Sequence, residues 1–168
     1  VYQTVKDYRG EKSVYGRQRF LAKYSSPMLL APSATGDVGP GYFTRPKTGM
    51  STFGASYANR IGFSPDDSYL VIPVIKAEGR PFPERIGVGR TRGTDIILIS
   101  SDISKYHAYF SNEGDRWFVS DAGSSNGTSV DGVRLTPMTP TPLNNGALLA
   151  FGARLHLFLT PTGFVDFL

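Results

Sequence analysis

An all-β sandwich is the fold class this sequence predicts for residues 67–168, and three observations carry the prediction. From Asp67 onward, short β-branched and aromatic runs are separated by turn residues. Nine such runs leave no room for helices between them. Asp131-Gly132 stands between Thr128-Ser129-Val130 and Val133-Arg134-Leu135, the strongest local signal for a two-residue hairpin, because both central positions of a type I′ turn need positive φ.

Taken in order, residues 1–66 read as an irregular, basic, Pro/Gly-rich extension. Residues 17–24 could form two helical turns, but from Ser25 to Gly62 the chain is crowded with breakers, among them Pro27, Pro32, Pro40, Pro46, Gly49 and Gly54. Met28, Leu29, Leu30, Tyr42, Phe43 and Phe53 are too apolar for a free tail, so the extension is expected to pack on the main domain. The strands then fall at 69–76, 85–88, 95–99, 107–111, 116–120, 128–130, 133–135, 147–151 and 154–160. In the last of these, Leu155, Leu157 and Leu159 share one face and Arg154, His156 and Phe158 the other. Residues 161–168 are expected to close the chain with a short helical turn.

The 168 residues suffice for one domain plus an extension. Nineteen glycines and twelve prolines make the chain turn-rich, yet 40% of it is hydrophobic, enough to build a core. With no cysteine, disulfides, thiolate metal sites and a cysteine nucleophile are all excluded, and a reducing, cytoplasmic setting is expected. The longest apolar run, 69–75, is interrupted by Pro73 and far short of a bilayer span, and Val1 opens no secretory pattern. Residues 1–60 carry a net charge of +6 and the remainder −2. Such a basic third could track nucleic acid or anionic lipid, but its charges are scattered among Asp7, Glu11 and Asp37, as on a solvated face.

Enzyme chemistry finds strings but not contexts. Gly123-Ser124-Ser125-Asn126-Gly127 satisfies G-x-S-x-G, and Ser125, Asp131 and His156 follow in hydrolase order. A nucleophile elbow needs a helix directly after its serine, however, and here a turn and a hairpin follow. Gly87-Val88-Gly89 lacks the third glycine and the helix of a dinucleotide site. His107 and His156, 49 positions apart and without cysteine partners, predict no metal centre. No catalytic residue, metal or cofactor is therefore expected. What remains is a set of polar residues at strand ends: Gly89-Arg90, Ser104-Lys105-Tyr106-His107 and Ser124-Ser125-Asn126-Gly127-Thr128. If these loops meet, they offer a guanidinium fork, hydroxyls and an amide, with no carboxylate pair to drive turnover. That chemistry suits holding an oxyanion, as in phosphorylated-motif recognition.

Ile86-Gly-Val-Gly-Arg90, Asp95-Ile-Ile-Leu98, Ile103-Ser-Lys-Tyr-His107-Ala, Trp117 through Thr128 and Val130-Asp-Gly-Val-Arg-Leu135 together resemble a forkhead-associated (FHA) domain of bacterial type. The resemblance runs from about Ser68 to Pro161 and does not cover residues 1–60. It implies an eleven-stranded sandwich that binds phosphothreonine peptides through loops at one end, in Ser/Thr kinase signalling. By the same resemblance Arg90 and Ser104 would bind the phosphate directly, with Lys105 and Ser125 helping, and Asn126 would hold the peptide backbone. His107 would support the site from beneath, while Gly89 and Gly127 permit the turns. Ser125 departs from the family's common threonine, keeping the hydroxyl and losing a methyl. Asp102, two places before Ser104, would face the side chain three positions after the phosphothreonine and favour a basic or apolar residue there; the other reading is that it caps its own loop. The partner implied is a phosphothreonine-containing kinase or kinase substrate, with neither nucleic acid nor membrane expected. Two alternatives stay open: a phosphate-independent interaction domain, and nucleic-acid or lipid binding through the basic third.

Overall fold

The computed structural model describes residues 2–32 and 56–168. Eleven strands among them form two sheets. The first orders β2 (Leu70–Pro73), β1 (Met28–Ala31), β11 (Arg154–Leu159), β10 (Ala147–Phe151), β7 (Thr128–Val130) and β8 (Val133–Arg134). The second orders β4 (Ile96–Ile97), β3 (Ile86–Gly89), β5 (Ala108–Glu113), β6 (Arg116–Asp121) and β9 (Thr141–Leu143). Three helices complete the described residues: α1 (Val5–Lys23), α2 (Tyr57–Arg60) and α3 (Pro161–Phe167).

The sandwich core lies between the sheets, where Leu29, Ile72 and Phe158 meet Val88, Phe110 and Val119, with Phe110 stacked on Phe158 at 6.3 Å. A second apolar layer lies on the outer face of the first sheet, where Leu30, Val71, Leu157 and Leu159 are covered by Val5, Tyr8 and Phe20 of α1 and by Phe164 and Val165 of α3. At ~1.5–3 kcal/mol for each large apolar side chain removed from water, this layer is a principal stabiliser. The alternation expected along β11 is present, but it separates two buried layers, not core from solvent. His156 accordingly is buried, at 4% exposure.

The first third departs from the expected irregular extension over its described residues. Thr4 and Asp7 form a reciprocal capping box that starts α1, and Gly16, at φ 73° and ψ 165°, breaks the helix so that its second half folds back. Lys23 and Tyr24 then reach Glu11 at 2.8 and 2.7 Å. β1, bracketed by Pro27 and Pro32, is an interior strand: it pairs with β2 through Leu29↔Ile72 and with β11 through Leu29↔Phe158. The sandwich therefore draws one of its strands from within residues 1–66. Met28, Leu29 and Leu30 are buried as expected, whereas Tyr42, Phe43 and Phe53 lie outside the described residues.

Much of the basic charge of this third closes the helical layer. Arg9 pairs with Asp67 and donates to the Leu168 carbonyl at 3.1 Å, Lys12 donates to the Val165 carbonyl at 2.8 Å, and Arg17 pairs with Asp166. These cations gather at the C-terminal end of α3, where carbonyls left without helical partners attract positive charge. The Asp131-Gly132 hairpin is formed as expected, with φ of 50° and 80° and Val130 opposite Val133.

Candidate functional site

Four connections gather at one end of the sandwich: residues 90–95 between β3 and β4, 98–107 between β4 and β5, 122–127 between β6 and β7, and 152–153 between β10 and β11. Backbone and side-chain bonds lash them together. The Arg90 N–H donates to the Ser104 carbonyl (3.1 Å), the Ser125 N–H to the Ser104 hydroxyl (3.0 Å), and the Asn126 amide to the Asp102 carbonyl (2.8 Å). Gly89 is demanded by close approach, since a Cβ there would stand 2.1 Å from the Lys105 carbonyl oxygen. Gly127 is demanded by its φ of +82°.

His107 lies beneath these loops, fully buried. Its Nδ1 accepts from the Ser104 N–H (3.0 Å), which leaves the proton on Nε2 to donate to the Gly127 carbonyl (2.9 Å). One neutral ring thus sets the spacing between the serine loop and the asparagine loop.

Two further residues organise the site without having been assigned a role from sequence. Asp121, 2% exposed, accepts from the Gly123 and Ser124 N–H groups (3.0 and 3.1 Å), from the Ser124 hydroxyl (2.5 Å) and from the Thr128 hydroxyl (2.7 Å). Burial by itself would raise its pKa, but these bonds outweigh burial and hold the carboxyl below its ordinary range. An aspartate two residues before Gly-Ser is the local signal that could have flagged it. The Thr94 hydroxyl donates to the Thr91 carbonyl (2.8 Å) from a buried position, closing the loop that carries Arg90.

Above this frame Arg90, Ser104, Lys105, Ser125 and Asn126 line one open depression of about 350 Å³. Arg90, Lys105, Ser125 and Asn126 are exposed, and neither cation's side chain has a hydrogen-bond or carboxylate partner among the described residues. The Ser104 oxygen accepts from Ser125, so its own proton remains to be donated. Asp102 borders the depression, but its carboxylate accepts from Ser100 and from the Ala153 N–H (3.0 Å) and lies 3.5 Å from Arg154 Nε. Burial opposes its ionisation, yet the Ser100 and Ala153 bonds and the Arg154 charge hold its pKa below the ordinary value. The arrangement presents donors and positive charge to an anion, with the one bordering carboxylate already matched.

The enzyme strings fall apart in three dimensions. Ser125 leads into β7 and not into a helix, Asp131 accepts from the Leu148 N–H (2.9 Å), and His156 Nδ1 donates to the Arg154 carbonyl (3.1 Å). Gly87-Val88-Gly89 is part of β3.

The family model described as FHA domain matches residues 86–152. Among curated relatives, the probable E3 ubiquitin-protein ligase dma1 of Schizosaccharomyces pombe is 37% identical over 62 residues, 34% of this chain and 23% of that protein. The FHA domain-containing protein FhaB of Mycolicibacterium smegmatis is 34% identical over 56 residues, 33% of this chain and 36% of that protein. The chain thus spans about a quarter to a third of these relatives' lengths. The solved FHA domain of the CT664 protein from Chlamydia trachomatis superposes with a TM-score of 0.51 at 17% identity, covering 80% of this chain and 97% of that one, a likeness of fold.

Proposed function

From the premise that residues 86–152 are an FHA domain, we propose that this chain recognises phosphothreonine in a partner protein and serves Ser/Thr kinase signalling. The carrying observation is the convergence of Arg90, Ser104, Lys105, Ser125 and Asn126 on one depression above the buried His107. In this reading Arg90 forks onto the phosphate and Ser104 donates its hydroxyl proton to it. Lys105 and Ser125 add charge and a donor. Asn126 holds the peptide backbone, with its own NH₂ already anchored on Asp102. Binding, not turnover, is what such a set of donors supports, because nothing beside Ser104 or Ser125 acts as a base. Asp102 is assigned to shaping the rim, through Ser100, Ala153 and Arg154, in preference to reading a peptide side chain.

The nucleic-acid or lipid alternative loses support from the pairing of Arg9, Lys12, Arg17 and Lys23 within the chain. The test is fluorescence anisotropy with a phosphothreonine peptide library and its unphosphorylated counterpart. Arg90→Ala should weaken binding more than a hundredfold, about 3 kcal/mol, through loss of two charge-assisted hydrogen bonds, and Ser104→Ala by less. Equal affinity of Arg90→Ala and wild type would overturn the assignment.

A further inference from the structure

Among the described residues some cationic side chains are matched within the chain, and others, with Lys6, Arg19, Arg60, Arg80 and Arg116 away from the loop end among them, are not. Arg9, Lys12, Arg17, Lys23, Lys76 and Arg154 each hold a carboxylate, carbonyl or hydroxyl oxygen of the chain itself. Arg90, Arg92, Lys105 and Arg134 hold none among the described residues, and all four stand at or beside the loop end. Three of them belong to the phosphate-facing loops by sequence. Arg134 does not: it arrives from β8.

Its position follows from the hairpin. Arg134 pairs opposite Ser129, so its side chain runs back beside β7 toward the residues that precede that strand. The guanidinium reaches Gly127 so closely that a Cβ there would lie 2.7 Å from Cζ, 2.8 Å from Nε and 2.9 Å from Nη2. The absence of a side chain at Gly127 is what lets the guanidinium lie along the loop backbone, one residue from Asn126. Arg134 nevertheless remains exposed. Asp131, on the same hairpin, is engaged by the Leu148 N–H, Asp102 faces Arg154, and Asp121 is buried among its own donors. A planar cation seated on a glycine backbone has already lost much of its rotamer freedom, so an incoming anion meets a fixed fork.

Resting on the phosphothreonine reading above, we propose that Arg134 is a second anion-reading residue, selecting peptides that carry an acidic side chain, a carboxylate or a second phosphate, on the Asn126 side of the phosphothreonine. Arg90 then reads the modification itself and Arg134 its acidic context. Discrimination is modest for a carboxylate at an exposed rim, about two- to fivefold, and falls with salt.

The experiment is an anisotropy titration of peptides with a fixed phosphothreonine and Asp, phosphoserine, Ala or Lys at each of the three positions on either side. Wild type should prefer Asp over Lys at one or more positions on one side. Phosphoserine exceeding Asp there identifies the second phosphate as the anion, and parity identifies the carboxylate. Arg134→Gln should keep its affinity for the alanine-flanked peptide within about twofold and lose the Asp-over-Lys preference, while Arg134→Glu should reverse it, which lost packing on Gly127 could not do. Preference unchanged in Arg134→Gln, or no reversal in Arg134→Glu, overturns the proposal. Wild type binding the alanine-flanked peptide in an Arg90-dependent way without any charge preference overturns this inference alone; wild type binding no phosphothreonine peptide overturns the site reading with it.

Discussion

His107 and His156 flank the same phenylalanine ring, Phe151, at 6.0 and 5.3 Å, yet their surroundings give them different parts. Both ring nitrogens of His107 are committed, one to the serine loop and one to the asparagine loop. Replacing it with alanine orphans the Ser104 N–H and opens a void, so His107→Ala should lose about 1–3 kcal/mol of stability together with phosphopeptide affinity. Chemical denaturation alongside anisotropy checks this, and a variant that loses binding at unchanged stability would make His107 a ligand contact. The histidine's supporting place was implied by the family resemblance that Ser104-Lys-Tyr-His107 helps to carry. Asp121 was not: it sat within the quoted run from Trp117 to Thr128, but the meaning of that carboxylate depends on Ser124 and Thr128 turning back onto it. Arg134 was likewise passed over as a strand residue, since only the hairpin carries it to Gly127.

The elements recovered from sequence are those whose signals are local. Asp131-Gly132 declares its turn in two residues, and β7 and β10 occupy the expected 128–130 and 147–151. β1 and β9 were missed for opposite reasons. β1 is four residues, buried on both faces, so it shows no alternation. β9 contains Pro142, which an edge strand tolerates because it need not donate on its open side. α1 was reduced to residues 17–24 because Gly10 and Gly16 interrupt its pattern, and its burial partners lie on α3 and β11, far along the chain. The two N-terminal elements predict different truncation outcomes. Removing residues 1–24 should leave a folded sandwich with an uncovered outer face, read as increased hydrophobic-dye binding or self-association. Removing residues 1–31 also deletes β1 from between β2 and β11 and should abolish cooperative unfolding. A 1–31 deletion that unfolds cooperatively at wild-type denaturant concentration would refute the role given to β1.

For the molecule as a whole, the buried His156 shapes the response to acid. Burial lowers the His156 pKa from 6.5 to about 4, so the folded state favours the neutral ring while the unfolded chain takes up a proton. Between these values the unfolded state binds more protons, and stability falls as pH drops from about 6.5 to about 4, fully present above that window. The maximum loss is about 3 kcal/mol. Denaturant unfolding at pH 7 and pH 4.5 measures it, and His156→Gln should flatten the difference. Wild type with no greater acid loss than His156→Gln would sink the assignment. Asp121 adds to the acid loss only at lower pH, because its depressed pKa matters once pH falls below the ordinary carboxylate value of 3.8.

By itself the sequence determined the sandwich class, the hairpin at Asp131-Gly132 and the closing turn that became α3, and it singled out Arg90, Ser104, Lys105, Ser125 and Asn126 as candidates for one anion site. These are properties of neighbours in the chain: a dipeptide's φ, a strand's alternation, a motif's spacing. Only the tertiary structure decided that the first third supplies an interior strand and a covering helix, that Arg9, Lys12 and Arg17 are spent on the end of α3, and that Asp102 faces Arg154. Those outcomes depend on which surfaces meet across 50 to 150 residues of sequence, and on a second apolar layer whose two halves, in α1 and in β11, each look unremarkable until packing brings them together.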